Sequence, residues 1–155
     1  MRKKIILISL ILTFILSMFS CNSLEYIKYE KPSINYYTSN LSDLVSDCDY
    51  EIQILDTNVY RTMEVDKEDV RILPDLINSL KPDNFLSQQP EGLPNKSIYK
   101  LFITSGNNKM VLDVYGDDII AIYPWDGDFE KDYLSLKGVP NSFKMEQFCK
   151  YVFEK

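Results

Sequence analysis

The densest set of chemistry-bearing side chains lies between Tyr123 and Asp132. It places the only tryptophan, Trp125, beside Asp126, Asp128, Glu130 and Asp132, interleaved with Gly127, Phe129 and Lys131. An indole face attracts a cation or stacks on a sugar ring, and neighbouring carboxylates supply counter-charge. Trp125, Asp126 and Asp128 are therefore the candidate ligand-binding residues. Acids at alternate positions also resemble the opening of a calcium loop. Lys131, however, stands where that motif wants glycine, and Lys137 where it wants its final glutamate. No metal site is expected. A purely structural reading competes with ligand binding: Trp125 folds back as a lid on a buried strand, and the acids form a solvated loop. An exposed indole beside a concave surface favours binding; a buried one favours the lid.

Catalytic chemistry is otherwise sparse. The chain has no histidine, which removes Ser-His-Asp and Cys-His catalysis, His-ligated zinc and the usual pH switch near neutrality. It has no Gly-rich phosphate loop and no Cys-x-x-Cys pair, and no cofactor is expected. Carboxylate-only hydrolysis survives as an alternative, because a glycosidase needs only two placed acids in a cleft. The expectation is a protein that is not an enzyme.

Three cysteines occur, at 21, 48 and 149. Cys21 follows a basic start (Arg2, Lys3, Lys4), an apolar run from Ile5 to Phe19, and Ser20. That is the layout of a secretory leader, and the run is short for a bilayer span of about 20 residues. Leu16-Ser17-Met18-Phe19-Ser20-Cys21 resembles a bacterial lipoprotein signal, although Met18 and Phe19 depart from its usual residues. Lipidation of Cys21 is the expectation, and two acyl chains suffice for stable anchoring. Outside the cytoplasm Cys48 and Cys149 can pair as a disulfide. The alternative leaves Cys149 a small core hydrophobe and Cys48 incidental.

Charge narrows the partners. The whole chain carries −6; without the leader, which holds three bases and no acid, 14 Lys+Arg face 23 Asp+Glu, for −9. Such a domain repels nucleic-acid phosphates and anionic headgroups alike, so any membrane attachment needs the lipid. Residues 1–20 are read as a signal peptide, 21–49 as a lipid-anchored tether and 50–155 as one domain. With 45% hydrophobic and 13% aromatic residues, that length fills a single core.

The elements that must position these side chains follow from periodicity. A short helical turn is expected at Leu41 to Val45. Tyr50 to Leu55 and Val59 to Val65 form a hairpin about Asp56-Thr57-Asn58. A helix follows, with Leu73, Leu76, Ile77 and Leu80 on one face, which Pro74 either kinks or begins. Lys81 to Lys96 reads as a long loop pinned by Phe85 and Leu86. Ile98–Thr104, Lys109–Tyr115 and Ile119–Tyr123 form a meander through turns at Gly106-Asn107-Asn108 and Gly116-Asp117-Asp118. Tyr133 to Leu136 adds a strand, and a helix from Ser142 to Phe153 closes the chain on Met145, Phe148, Cys149 and Val152. The class is α+β: an antiparallel sheet of five to six strands with two main helices packed on one face.

Several stretches carry a family likeness: Glu51-Ile52-Gln53-Ile54-Leu55-Asp56-Thr57-Asn58-Val59-Tyr60, Leu73-Pro74-Asp75-Leu76-Ile77-Asn78-Ser79-Leu80, Tyr99-Lys100-Leu101, Ile122-Tyr123-Pro124-Trp125-Asp126-Gly127 and Phe148-Cys149-Lys150. With the leader, they resemble a family of small lipoproteins of Gram-positive anaerobes, domain of unknown function 4883. The Tyr-Pro-Trp-Asp-Gly run is the most specific piece. The family has no known activity, so the resemblance carries over no functional residue.

The combined expectation is a lipoprotein on the extracytoplasmic face of the cell membrane, acting as a binding domain for a protein, peptide or wall polymer. The alternatives are an inhibitor or immunity lipoprotein directed at a basic enzyme or toxin, and the small carboxylate-based hydrolase.

Overall fold

Strand residues alternate between two environments. Ile52 and Ile54 of β1 (Glu51–Asp56) are buried while Glu51 and Gln53 are exposed. Tyr99, Leu101 and Ile103 of β4 (Tyr99–Ser105) repeat the period. The computed structural model describes residues 30–46 and 49–155. Among them, β2 (Arg61–Glu64), β3 (Phe85–Leu86), β5 (Asn108–Val114), β6 (Ile119–Pro124) and β7 (Asp132–Ser135) complete one sheet in the order β2-β1-β4-β5-β6-β7-β3. Every pairing is antiparallel. The sheet thus has seven strands, slightly above the expected five to six.

Among the described residues three helices cover one face: α1 (Tyr36–Ser46), α2 (Ile72–Ser79) and α3 (Met145–Glu154). Leu41, Leu73, Leu76, Met145 and Cys149 meet Ile54, Leu101, Leu112, Ile122 and Leu134 in a single core. Each such side chain is worth roughly 1.5–3 kcal/mol on burial. The α+β class holds, with one helix more than the two expected. Among the described residues no helix is long and apolar enough to cross a membrane.

The register at the centre follows from one tight turn. Gly106 adopts φ +56 at the first position of a two-residue connection, where a left-handed backbone matches the twist of the flanking strands. Ser105 then faces Asn108, and Lys100 faces Asp113.

Two segments differ from expectation. The stretch read as tether contains α1, whose Tyr37, Leu41 and Val45 are buried at four-residue spacing; Lys31–Lys155 accordingly form one compact unit. The loop after α2 contains a 3₁₀ turn (Pro82–Asn84) and then β3, which closes the far edge of the sheet against β7. Asn84 secures that junction, donating to the Ser135 carbonyl at 2.6 Å. Of the two readings of Pro74, the one in which the helix begins there holds. Pro74 sits in the first turn of α2, where its missing N–H has no helical partner to lose. The signal peptide at 1–20 and Cys21 lie outside the described residues.

Candidate functional site

The turn after β6 decides where Trp125 points. Gly127 N–H donates to the Pro124 carbonyl at 3.3 Å, closing a four-residue turn with glycine last, a favoured place for it. The closeness of the packing requires glycine. A Cβ at 127 would lie 2.7 Å from the Tyr37 hydroxyl oxygen and from Pro124 Cγ. Tyr37 reaches this turn from α1, its hydroxyl accepting from Phe129 N–H at 2.9 Å. Burial of that phenol pushes its pKa up, so it stays neutral. The family-like Tyr-Pro-Trp-Asp-Gly run is thus a rigid corner that faces the indole outward.

Trp125 is 65% exposed, which overturns the lid reading. Its ring packs against Phe102 with centroids 5.7 Å apart and planes at 59°, and its backbone N–H donates to the Lys109 carbonyl at 3.1 Å. The two rings stand on the sheet face that the helices leave open, at one end of a groove of about 700 Å³. Glu51, Gln53, Thr104 and Lys109 form part of the wall, and Glu64, Asp66 and Lys67 stand at its far end.

The remaining acids of the segment do not join Trp125. Asp126 lines a separate hollow of about 540 Å³ with Asn40, Asp43 and Asn107. Asp128 is exposed and lines neither hollow. Asp132 turns to the other side of the sheet and is buried. Its Oδ2 accepts from the Thr38 N–H and hydroxyl at 2.7 and 2.8 Å. Its Oδ1 receives no aligned hydrogen bond, but Lys31 Nζ meets its charge at 2.5 Å. Thr38 is the third residue of α1, so Asp132 caps one of the helix's unsatisfied N–H groups. The alternating acids therefore do not converge, and the described residues contain no group of three metal-ligating side chains.

A second cluster, with no counterpart in the sequence reading, lies beside the groove on the open face. Asp113 of β5 is 1% exposed. Lys100 Nζ and Lys131 Nζ contact its two oxygens at 2.5 and 2.7 Å. The hydroxyls of Ser97 and Tyr115 donate more weakly at 3.3 and 3.4 Å. Burial alone would raise the Asp113 pKa, but the two lysines outweigh it and hold the carboxyl below its usual range. Burial, reinforced by Asp113, pushes the Tyr115 and Tyr123 phenols up. Lys131 also sits 4.0 Å above the Tyr123 ring. A carboxylate this fully engaged has no lone pair to spare for proton transfer. It fixes two ammonium groups on the open face.

Cys149 is a free thiol at 0% exposure, and burial raises its pKa well above the ordinary thiol value. Cys48, the partner that a disulfide would need, lies outside the described residues.

The family model described as Domain of unknown function (DUF4883) matches residues 31–149. A crystal structure of a candidate lipoprotein from Clostridium perfringens is 56% identical in sequence, with a TM-score of 0.74. The likeness covers 81% of this chain and all of that one. No curated protein matches.

Proposed function

This chain belongs to the family described as domain of unknown function 4883, and from that premise we propose a lipid-anchored lipoprotein on the outer face of the cell membrane. Its folded domain binds a partner, without catalysis, through the groove at Trp125. The single observation that carries the binding role is the indole itself, 65% exposed and braced by Phe102 at the groove. Exposing so large an apolar ring costs solubility, and the rigid Pro124–Gly127 corner holds it there rather than letting it collapse on the sheet. The anchor rests on the leader, the boundary Cys21 and the likeness to the clostridial candidate lipoprotein.

One observation bears on the hydrolase alternative. Glu51 and Glu64 lie on adjacent strands, two positions apart in register, so their Cβ atoms are about 7–8 Å apart. That spacing falls in the range of paired catalytic acids. Both residues are exposed, however. A hydrolytic pair works in a site that excludes water and encloses its substrate. The pair serves better as counter-charge for a ligand.

Crosslinking on intact cells tests the binding role. A photoreactive phenylalanine analogue at position 125 should capture a reproducible adduct that the same analogue at exposed Tyr151 of α3 does not. Identical products from both positions, or none, would remove the groove from consideration. Mass spectrometry tests the anchor: the mature chain should begin at an acylated Cys21, and an unmodified N-terminus elsewhere would end that part.

A further inference from the structure

The wall of the groove is segregated by charge along its length. The register places Glu51 opposite Thr104, and Thr104 opposite Lys109; Trp125 comes next, just past the end of β6, its backbone N–H bonded to the Lys109 carbonyl. Strands are about 4.8 Å apart, so Glu51 and Lys109 are about 10 Å apart through their backbones, and Glu64 lies one strand farther out. Among the described residues Glu51, Glu64 and Lys109 form no ion pair. Asp66, at the acidic end, is engaged by Lys155 at 2.5 Å, and Lys67 is the one base lining that end. The groove therefore offers uncommitted negative charge at β1 and β2, an uncommitted ammonium at β5, and two aromatic rings beside that ammonium.

We infer, on the strength of the binding role above, that the groove takes a short extended peptide with both termini free. Its ammonium lies at Glu51 and Glu64, its carboxylate at Lys109, and an apolar side chain near its carboxyl end rests on Trp125 and Phe102. The span suits three to four residues, because an extended chain advances about 3.3 Å per residue. A neutral glycan would satisfy the rings but would use neither charged end. The flanking Gln53 and Thr104 supply hydrogen-bonding partners to a peptide backbone crossing the strands.

The experiment uses the emission of Trp125, which is unambiguous because the chain has no other tryptophan. The full chain in mild detergent is titrated with the tetrapeptide alanyl-alanyl-phenylalanyl-alanine in four forms: free, N-acetylated, C-amidated and doubly blocked. Chitotetraose is the fifth probe. The free peptide should shift the emission saturably, and each block should weaken it about two- to fivefold, as expected for solvent-exposed ion pairs. K109E should abolish the preference for a free carboxylate, and E51Q with E64Q the preference for a free ammonium. Equal affinity for all four forms would overturn the inference. So would a response to chitotetraose alone, which would leave the binding role standing. If no probe moves the emission the peptide is excluded, and the fate of the binding role then rests on the crosslink at position 125.

Discussion

Substituting Asp132 by alanine should be among the most damaging single changes outside the hydrophobic core. The carboxylate accepts two buried hydrogen bonds from Thr38 and meets Lys31 at 2.5 Å. Loss of a helix cap costs about 1–2 kcal/mol. The Thr38 hydroxyl, left without its acceptor in a buried site, adds about 1 kcal/mol. Lys31 is 20% exposed and can turn to water, so the full cost of about 3–5 kcal/mol for an orphaned buried ion does not apply. The sum is about 2–3 kcal/mol. At roughly 3–5 °C per kcal/mol for a domain of this size, Tm should fall by about 6–15 °C. Thermal unfolding followed by far- and near-UV circular dichroism measures it. Asp132→Asn keeps an acceptor for the Thr38 N–H and should lose about half as much, and Lys31→Ala less again. A melting point for Asp132→Ala within about 3 °C of the parent would refute the capping role.

Three further outcomes follow from the same contacts. Because its folded-state pKa is depressed, Asp113 stabilises the domain above its unfolded value of 3.8, and that contribution is lost as pH falls through the folded value. Acid titration of stability should therefore be shallower below about pH 4 in Asp113→Asn than in the parent; parallel curves would show that the lysines do not hold the carboxylate. Cys149, examined with Cys21 and Cys48 replaced by serine, should resist iodoacetamide in the native state and react only under denaturant; rapid native labelling would contradict its burial. Removing residues from Met145 onward deletes three buried side chains, Met145, Cys149 and Val152, and the Tyr99–Phe153 stack at 5.9 Å. The loss of about 5–9 kcal/mol rivals the whole stability of a domain, so the truncated chain should show no cooperative transition by calorimetry.

The sheet is legible because its strands are written in alternation and its central turn in a glycine. The pairing of Lys100 with Asp113 was open to the same reasoning, since counting back from a two-residue turn at Gly106-Asn107 sets them opposite each other. An acid inside the apolar run Met110–Val114 was the missed signal. Other features depend on contacts between residues far apart in the chain. β3 is two residues long and carries no period, and its partner β7 begins at residue 132. α1 has the right apolar spacing but no side-chain cap of its own, its third N–H being satisfied by Asp132. The outward turn of Trp125 cannot be read from residue type. It depends on Tyr37, whose hydroxyl meets Phe129 across 92 positions.

Chain order places α1 first and β3 midway, yet each completes its bonding only against β7. A growing polypeptide that has reached residue 131 still has a helix end without its acceptor and an edge strand without a neighbour. The final sixth of the chain, from β7 onward, acts as a clasp on both. Under the export proposed above, in which the front end of the chain crosses first, both junctions stay open until the last strand arrives.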